Sequence, residues 1–125
     1  MRLRAWFYRW LPIVFGCHCR EDRSFHWHGQ KFPLCARCTG ELAGMLVCAA
    51  AAWWYLPPAW LAAALLVPML ADGFAQLLTR YESTNPRRFV TGVLFGWGGL
   101  ALVLRSMAAT VRFGAALAQT WLGAA

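Results

Sequence analysis

Apolar positions along the chain gather into long runs instead of the short alternations that mark strands. The runs cover Leu42–Leu56, Ala59–Leu78, Phe89–Leu104 and, with Arg112 inside it, Met107–Gly123. A helix needs about 20 residues to cross a bilayer core, with about 17 as the lower limit. The second run meets that length, and the first does so if its helix begins near Cys38. Leu56-Pro57-Pro58 separates these two and leaves room only for a tight helical hairpin. Trp53, Trp54, Tyr55 and Trp60 around that turn form an aromatic belt suited to a membrane interface. Asn85 followed by Pro86 reads as the N-cap and first residue of a third span. Gly92, Gly96 and Gly99 in that span allow close helix packing. The pattern predicts three spans, with Met107–Gly123 as a fourth that crosses the membrane or lies on its surface.

Residues 1–16 are basic and aromatic, with Arg9 interrupting the apolar pattern. A secretory leader needs a continuous apolar stretch of about 7–15 residues, and Arg9 limits that stretch to Trp10–Gly16. An interfacial helix fits better, its aromatics among the headgroups and Arg2, Arg4 and Arg9 towards anionic lipid. The expected fold is an all-α integral membrane helical bundle of three to four transmembrane helices. It forms a single membrane domain over 1–125, with the interfacial helix at 1–16, a Cys/His-rich segment at 17–40 and membrane helices at 41–125.

Composition excludes the alternatives. Apolar residues make up 60% of the 125 positions and charged residues 14%, against about 45–50% and about 25% in soluble domains. Neither disorder nor a water-soluble globule suits these proportions. The net charge of +7 raises the question of nucleic acid. Seven basic residues lie within positions 1–40, outside the long apolar runs, and Arg80, Arg87 and Arg88 share one loop. That segregation follows the positive-inside rule and makes the bilayer, not nucleic acid, the expected partner. It places the N-terminus and both basic regions in the cytoplasm, in a multi-pass protein of the cell (inner) membrane.

Chemistry concentrates in Cys17-His18-Cys19 and in Cys35-Ala36-Arg37-Cys38. A C-x-x-C pair with a second Cys/His group about 15–20 residues away has the spacing of a tetrahedral zinc site. Cys17, His18, Cys35 and Cys38 are the preferred ligands, with Cys17/Cys19 as the alternative to the adjacent Cys17/His18 pair. Zinc is the first expectation and iron the second. The same cysteines also suit a reactive dithiol, because a helix N-terminus stabilises thiolates. His26 and His28, flanking Trp27, are expected on one side of an extended segment.

Asp72 sits inside the second apolar run, where ionisable groups face a bundle interior or cavity. Gln76 and Arg80 follow at i+4 and i+8 on one broad helical face. Glu41 and Arg88 approach from the same end, so Asp72 has Arg80, Arg88 and Gln76 as candidate partners. Asp72 and Glu41 are the candidate proton acceptors. Arg37, Gln76, Arg80, Asn85 and Arg88 are candidate contacts to an anion, either a phospholipid headgroup or a substrate.

Cys17-His18-x-Arg20-x-x-Arg23-Ser24-Phe25, followed by Gly29-x-x-x-Pro33-x-Cys35-x-Arg37-Cys38-x-Gly40, resembles the signature of the prokaryotic membrane family DUF2085. The resemblance continues through Asp72-Gly73 with Gln76, Ser83-Thr84-Asn85 with Arg88, and Thr91-Gly92 with Gly96, covering about residues 14–104. It implies a small multi-span membrane protein and brings no established activity. Cys19 departs from the family pattern, which favours Cys17 and His18 as ligands.

Three functions follow as expectations. The first is a cytoplasmic-face metal site over a polar pocket containing Asp72, acting on a lipid-linked or small anionic substrate through an open coordination position. The second is a thiol–disulfide protein coupled to a membrane quinone. The third is a metal-ion carrier, for which so short a chain would need a homo-oligomer.

Overall fold

The computed structural model describes residues 2–123. The chain runs through helix α1 (Arg2–Val14), a short 3₁₀ turn (Glu21–Arg23), strands β1 (Ser24–Trp27) and β2 (Gln30–Cys35), and helices α2 (Ala36–Ala51), α3 (Ala59–Leu78) and α4 (Asn85–Gly123). Most of it is helical, as its apolar runs predict.

Two features depart from the expected all-α bundle of three to four spans. The Cys/His-rich segment contains an antiparallel hairpin in which Trp27 pairs with Gln30 and Ser24 with Cys35. His28 and Gly29 form its two-residue turn with φ of 49° and 73°, the left-handed values that match a turn to the twist of a hairpin. His28 therefore leaves the extended segment that was expected to hold it beside His26.

The third and fourth apolar runs join in the single 39-residue helix α4. No glycine or proline pair breaks the chain near Leu104, so helical hydrogen bonding continues. Two helices, α3 and α4, are long and apolar enough to cross a membrane by length and composition. Helix α2 has 16 residues, about 24 Å at about 1.5 Å per residue. It thus falls short of a core of about 30 Å.

Helices α2 and α4 run parallel, with the antiparallel α3 against α4. Glycines set the first contact. A Cβ at Gly40 would lie 2.2 Å from the Phe89 carbonyl oxygen, and one at Gly44 2.1 Å from that of Val93. From the other side, a Cβ at Gly92 would lie 2.3 Å from the Arg37 oxygen, and one at Gly96 2.1 Å from that of Glu41. Each helix thus offers a small-x-x-x-small pair into which the other's backbone fits. Cys48, Ala62 and Ala101 are buried where the three helices meet, with Leu56, Trp97 and Leu100 around them.

Arg105 closes the far end. Its guanidinium donates to the carbonyls of Pro57 and, at 3.0 Å, Leu56, satisfying groups that a Pro-Pro turn leaves free. Beyond it α4 continues from Ser106 to Gly123 as an exposed arm, about 27 Å long by helical rise.

Candidate metal centre

Local sequence brings Cys17 back towards the bundle. Gly16 ends α1 with φ of 57°. The Cys17 amide bonds the Pro12 carbonyl at 2.8 Å and the Gly16 amide that of Ile13 at 3.2 Å. These two bonds and a left-handed glycine make a Schellman C-cap, which turns the chain sharply just before the first cysteine. Helix α1 is held over the hairpin by the Tyr8 hydroxyl donating to the Lys31 carbonyl at 2.9 Å and by Arg4 bonding Gln30.

Cys35 ends β2 and caps α2, with Cys38 one turn further on. The ligand atoms of Cys17, Cys35 and Cys38 all lie within 4.8 Å of one another. The sulfurs of Cys35 and Cys38 are 3.5 Å apart, and the Cys35 amide donates to the Cys17 sulfur at 3.3 Å. Zinc–sulfur bonds of about 2.3 Å in a tetrahedron set sulfurs about 3.8 Å apart. The cluster is therefore within about an ångström of three-thiolate spacing, and these three cysteines could hold a metal ion.

A hydrogen bond from the Cys38 thiol is the main reason the Cys35 thiol is drawn down to about 5. The Cys38 and Arg37 amides and the Cys17 thiol add to the effect, while burial opposes it. A thiolate at Cys35 in neutral solution is the form that metals and disulfides require.

His18 stands outside this trio. It is exposed and lines the cleft of about 410 Å³ that the three cysteines share with Gly16, Arg20, Arg23 and Arg37. The Cys19 thiol donates to the Pro33 carbonyl at 3.2 Å. Burial, followed by the neighbouring Cys17, pushes its pKa up. Three of the four residues expected from the sequence thus come together, and the cluster opens on an arginine-lined cleft.

Asp72 is buried, with its side chain 1% exposed. Arg37 donates to its Oδ2 at 2.7 Å and Gln76 to the same oxygen at 2.9 Å. The Arg87 Nε stands 3.5 Å from Oδ1. Arg88, also buried, donates to the Gln76 Oε1 at 3.3 Å and to the Asn85 Oδ1 at 3.5 Å.

The expected partner Gln76 is in place, and Arg88 acts through it. Arg80 does not join. Helix α3 ends at Leu78, so the i+8 face never reaches Arg80, which is exposed on the loop. Arg37 takes its place because α2 presents that residue to α3 in its first turn. Arg87, in the first turn of α4, also enters the network, a role the sequence pattern does not single out. Glu41 is half-buried on α2, where its backbone oxygen meets Gly96.

The loop after α3 is tied to the cysteine segment by an Arg23–Glu82 ion pair at 3.8 Å and by the Asn85 amide donating to the Asp22 carbonyl at 3.4 Å. Phe25 packs edge-to-face on Phe89 with ring centres 5.9 Å apart. Both basic regions therefore lie at one end of the helices, opposite the Pro57 turn.

These features define a small, mostly helical protein with apolar helices of membrane-crossing length and a thiol cluster at one end. The chain belongs to the family of predicted membrane proteins designated DUF2085, whose sequence profile matches residues 17–102. It is similar to an uncharacterized protein of Methanothermobacter thermautotrophicus, 38% identical over 94 residues, covering 70% of this chain and 84% of that one. An uncharacterized protein of Methanocaldococcus jannaschii is 38% identical over 88 residues, covering 65% of this chain and 56% of its own length. No solved structure matches the chain. The profile begins at Cys17 and closes at Leu102, just before Arg105 reaches the turn carbonyls, so it takes in the thiol cluster, the Asp72 network and the interlocked glycines.

Proposed function

We propose that this protein binds zinc at the cytoplasmic face of the cell membrane through Cys17, Cys35 and Cys38, and that the fourth coordination position receives a small anionic ligand or substrate. The observation that carries this reading is the convergence of three sulfurs within 4.8 Å at the wall of a cleft lined by Arg20, Arg23 and Arg37. A zinc ion with three protein ligands keeps a position open and acts there as a Lewis acid. Guanidinium forks beside it suit carboxylate or phosphate oxygens. Asp72 serves as a positioning residue, since its Oδ2 holds Arg37, and Glu41 is the remaining candidate proton acceptor. Ten of the twelve basic residues, all but Arg105 and Arg112, lie on the segments at the thiol-bearing end. This supports a cytoplasmic orientation of that end.

Metal analysis of the purified protein tests the proposal. One zinc per chain is expected, lost in Cys35→Ser and Cys38→Ser and retained in Asp72→Asn. The 3.5 Å contact between Cys35 and Cys38 and the lowered Cys35 thiol favour a second reading, a redox dithiol. Metal-free protein with a reversible Cys35–Cys38 disulfide would establish it in place of the first.

A further inference from the structure

Arg37 belongs to two cavities. It lines the thiol cleft, and it also heads a separate groove of about 280 Å³ on the outer face of α3 and α4, formed by Leu70, Gly73, Phe74, Leu77 and Phe95. The groove walls are apolar and open outward, with Phe74 58% and Leu77 77% exposed. They belong to the two helices that are long and apolar enough to cross a membrane, so in a bilayer the groove would face acyl chains. From Leu70 to Leu77 it follows α3 for about 10 Å, at about 1.5 Å per residue.

Gly73 gives the groove its depth. The glycines at 40, 44, 92, 96 and 98 each sit where a Cβ would strike a neighbouring backbone oxygen, whereas a Cβ at Gly73 meets nothing within 4 Å. Glycine is less favourable than alanine inside a helix, and at this position no protein contact requires it. The space it leaves is next to Asp72, the residue that fixes Arg37.

Arg37 itself is incompletely used. One terminal nitrogen bonds Asp72 at 2.7 Å, while its Nε is buried without a hydrogen-bond partner among the described residues. An arginine that lines an apolar channel on one side and a metal-competent cleft on the other suits a ligand that is anionic and attached to a hydrocarbon chain.

We propose that the ligand of this site is an anionic lipid, its phosphate-type headgroup held by Arg37 at the mouth of the thiol cleft and its chain lying along Gly73 between α3 and α4. This rests on the metal-site reading for the cleft and names the class of molecule that fills it. Inorganic phosphate shares the headgroup chemistry, and the test separates the two sources.

The zinc-loaded protein is placed in phosphatidylcholine nanodiscs containing a trace of phosphatidic acid with a photoactivatable acyl chain. Crosslinks are mapped by mass spectrometry, and zinc is measured in the same samples. Crosslinks to residues 69–77 are expected, at least five-fold stronger than those from a matched phosphatidylcholine probe. Excess lysophosphatidic acid should compete and inorganic phosphate should not. Gly73→Leu fills the groove where space is free, and should lower the crosslink at least five-fold while zinc content holds. Arg37→Gln should erase the preference between headgroups.

Equal crosslinking by both probes, or an unchanged yield in Gly73→Leu, would overturn the proposal. So would competition by inorganic phosphate equal to that by the lysolipid, since the chain would then contribute nothing. Loss of the metal reading alone appears separately, as absent zinc with the lipid preference intact.

Discussion

The same substitution should act with opposite sign at two glycines of this bundle. Gly96→Ala places a Cβ 2.1 Å from the Glu41 carbonyl oxygen, where ordinary contact begins at 3.4 Å. Helices α2 and α4 must therefore part by about 1.3 Å, the difference between those distances. Backbone meets backbone here, so no side chain can rotate away. The same parting loosens the contacts at Gly40, Gly44 and Gly92. Overpacking of this kind costs about 1–3 kcal/mol, and the shared interface places the cost at the upper end. Against it stands the helix-propensity gain of alanine over glycine, about 1 kcal/mol. The net expectation for Gly96→Ala is a loss of about 2 kcal/mol.

Gly73→Ala meets open space and keeps only the propensity term, a gain of about 1 kcal/mol. Reversible unfolding by sodium dodecyl sulfate in mixed micelles, followed by tryptophan fluorescence, measures both. A stabilised Gly96→Ala, or two variants shifted alike, would refute interlocked backbones as the basis of the α2–α4 contact.

Other perturbations test the remaining parts. Asp72→Asn leaves Arg37 and Arg87 without their carboxylate, and breaking a buried pair costs about 3–5 kcal/mol. The exposed Arg87 side chain dilutes this to the lower end. The double variant Asp72→Asn/Arg37→Gln should recover at least about 1 kcal/mol of the loss in the same unfolding assay, because contacting residues couple. In chelator-treated protein, alkylation of Cys35 by iodoacetamide should follow a thiolate that forms near pH 5. The direction is set by a lowered pKa: the reactive form persists as pH falls from neutrality and disappears only below about 5. Cys38→Ala removes the main cause and should move the midpoint upward by pH units, as read by mass spectrometry of the labelled peptide. Arg105→Leu frees the carbonyls of Leu56 and Pro57 and should cost about 1.5–3 kcal/mol, the value of hydrogen bonds from a charged donor.

Periodicity and composition alone determine that this chain is a bundle of apolar helices with a basic, cysteine-bearing end, because run length, charge segregation and C-x-x-C spacing are local properties. They also single out Cys17, His18, Cys35 and Cys38, with Cys19 as an alternative, and they mark Asp72 as a buried charge with Gln76 one turn away. What they leave open is settled by contacts between distant segments. Arg105 and Ser106 divide the apolar pattern into two runs, although no helix-breaking residue stands between them and one helix carries both.

His18 and Cys17 are neighbours in sequence, yet the Schellman turn at Gly16 and the paired hairpin direct one side chain to the sulfurs and leave the other exposed. Asp72 finds Arg37 instead of Arg80 because α3 stops at Leu78, while glycine-to-backbone packing against α4 sets α2 close enough to deliver Arg37. The groove beside Gly73 exists only in three dimensions. Its glycine is written in the chain like five tightly packed ones, and only their surroundings distinguish a close contact from an open space.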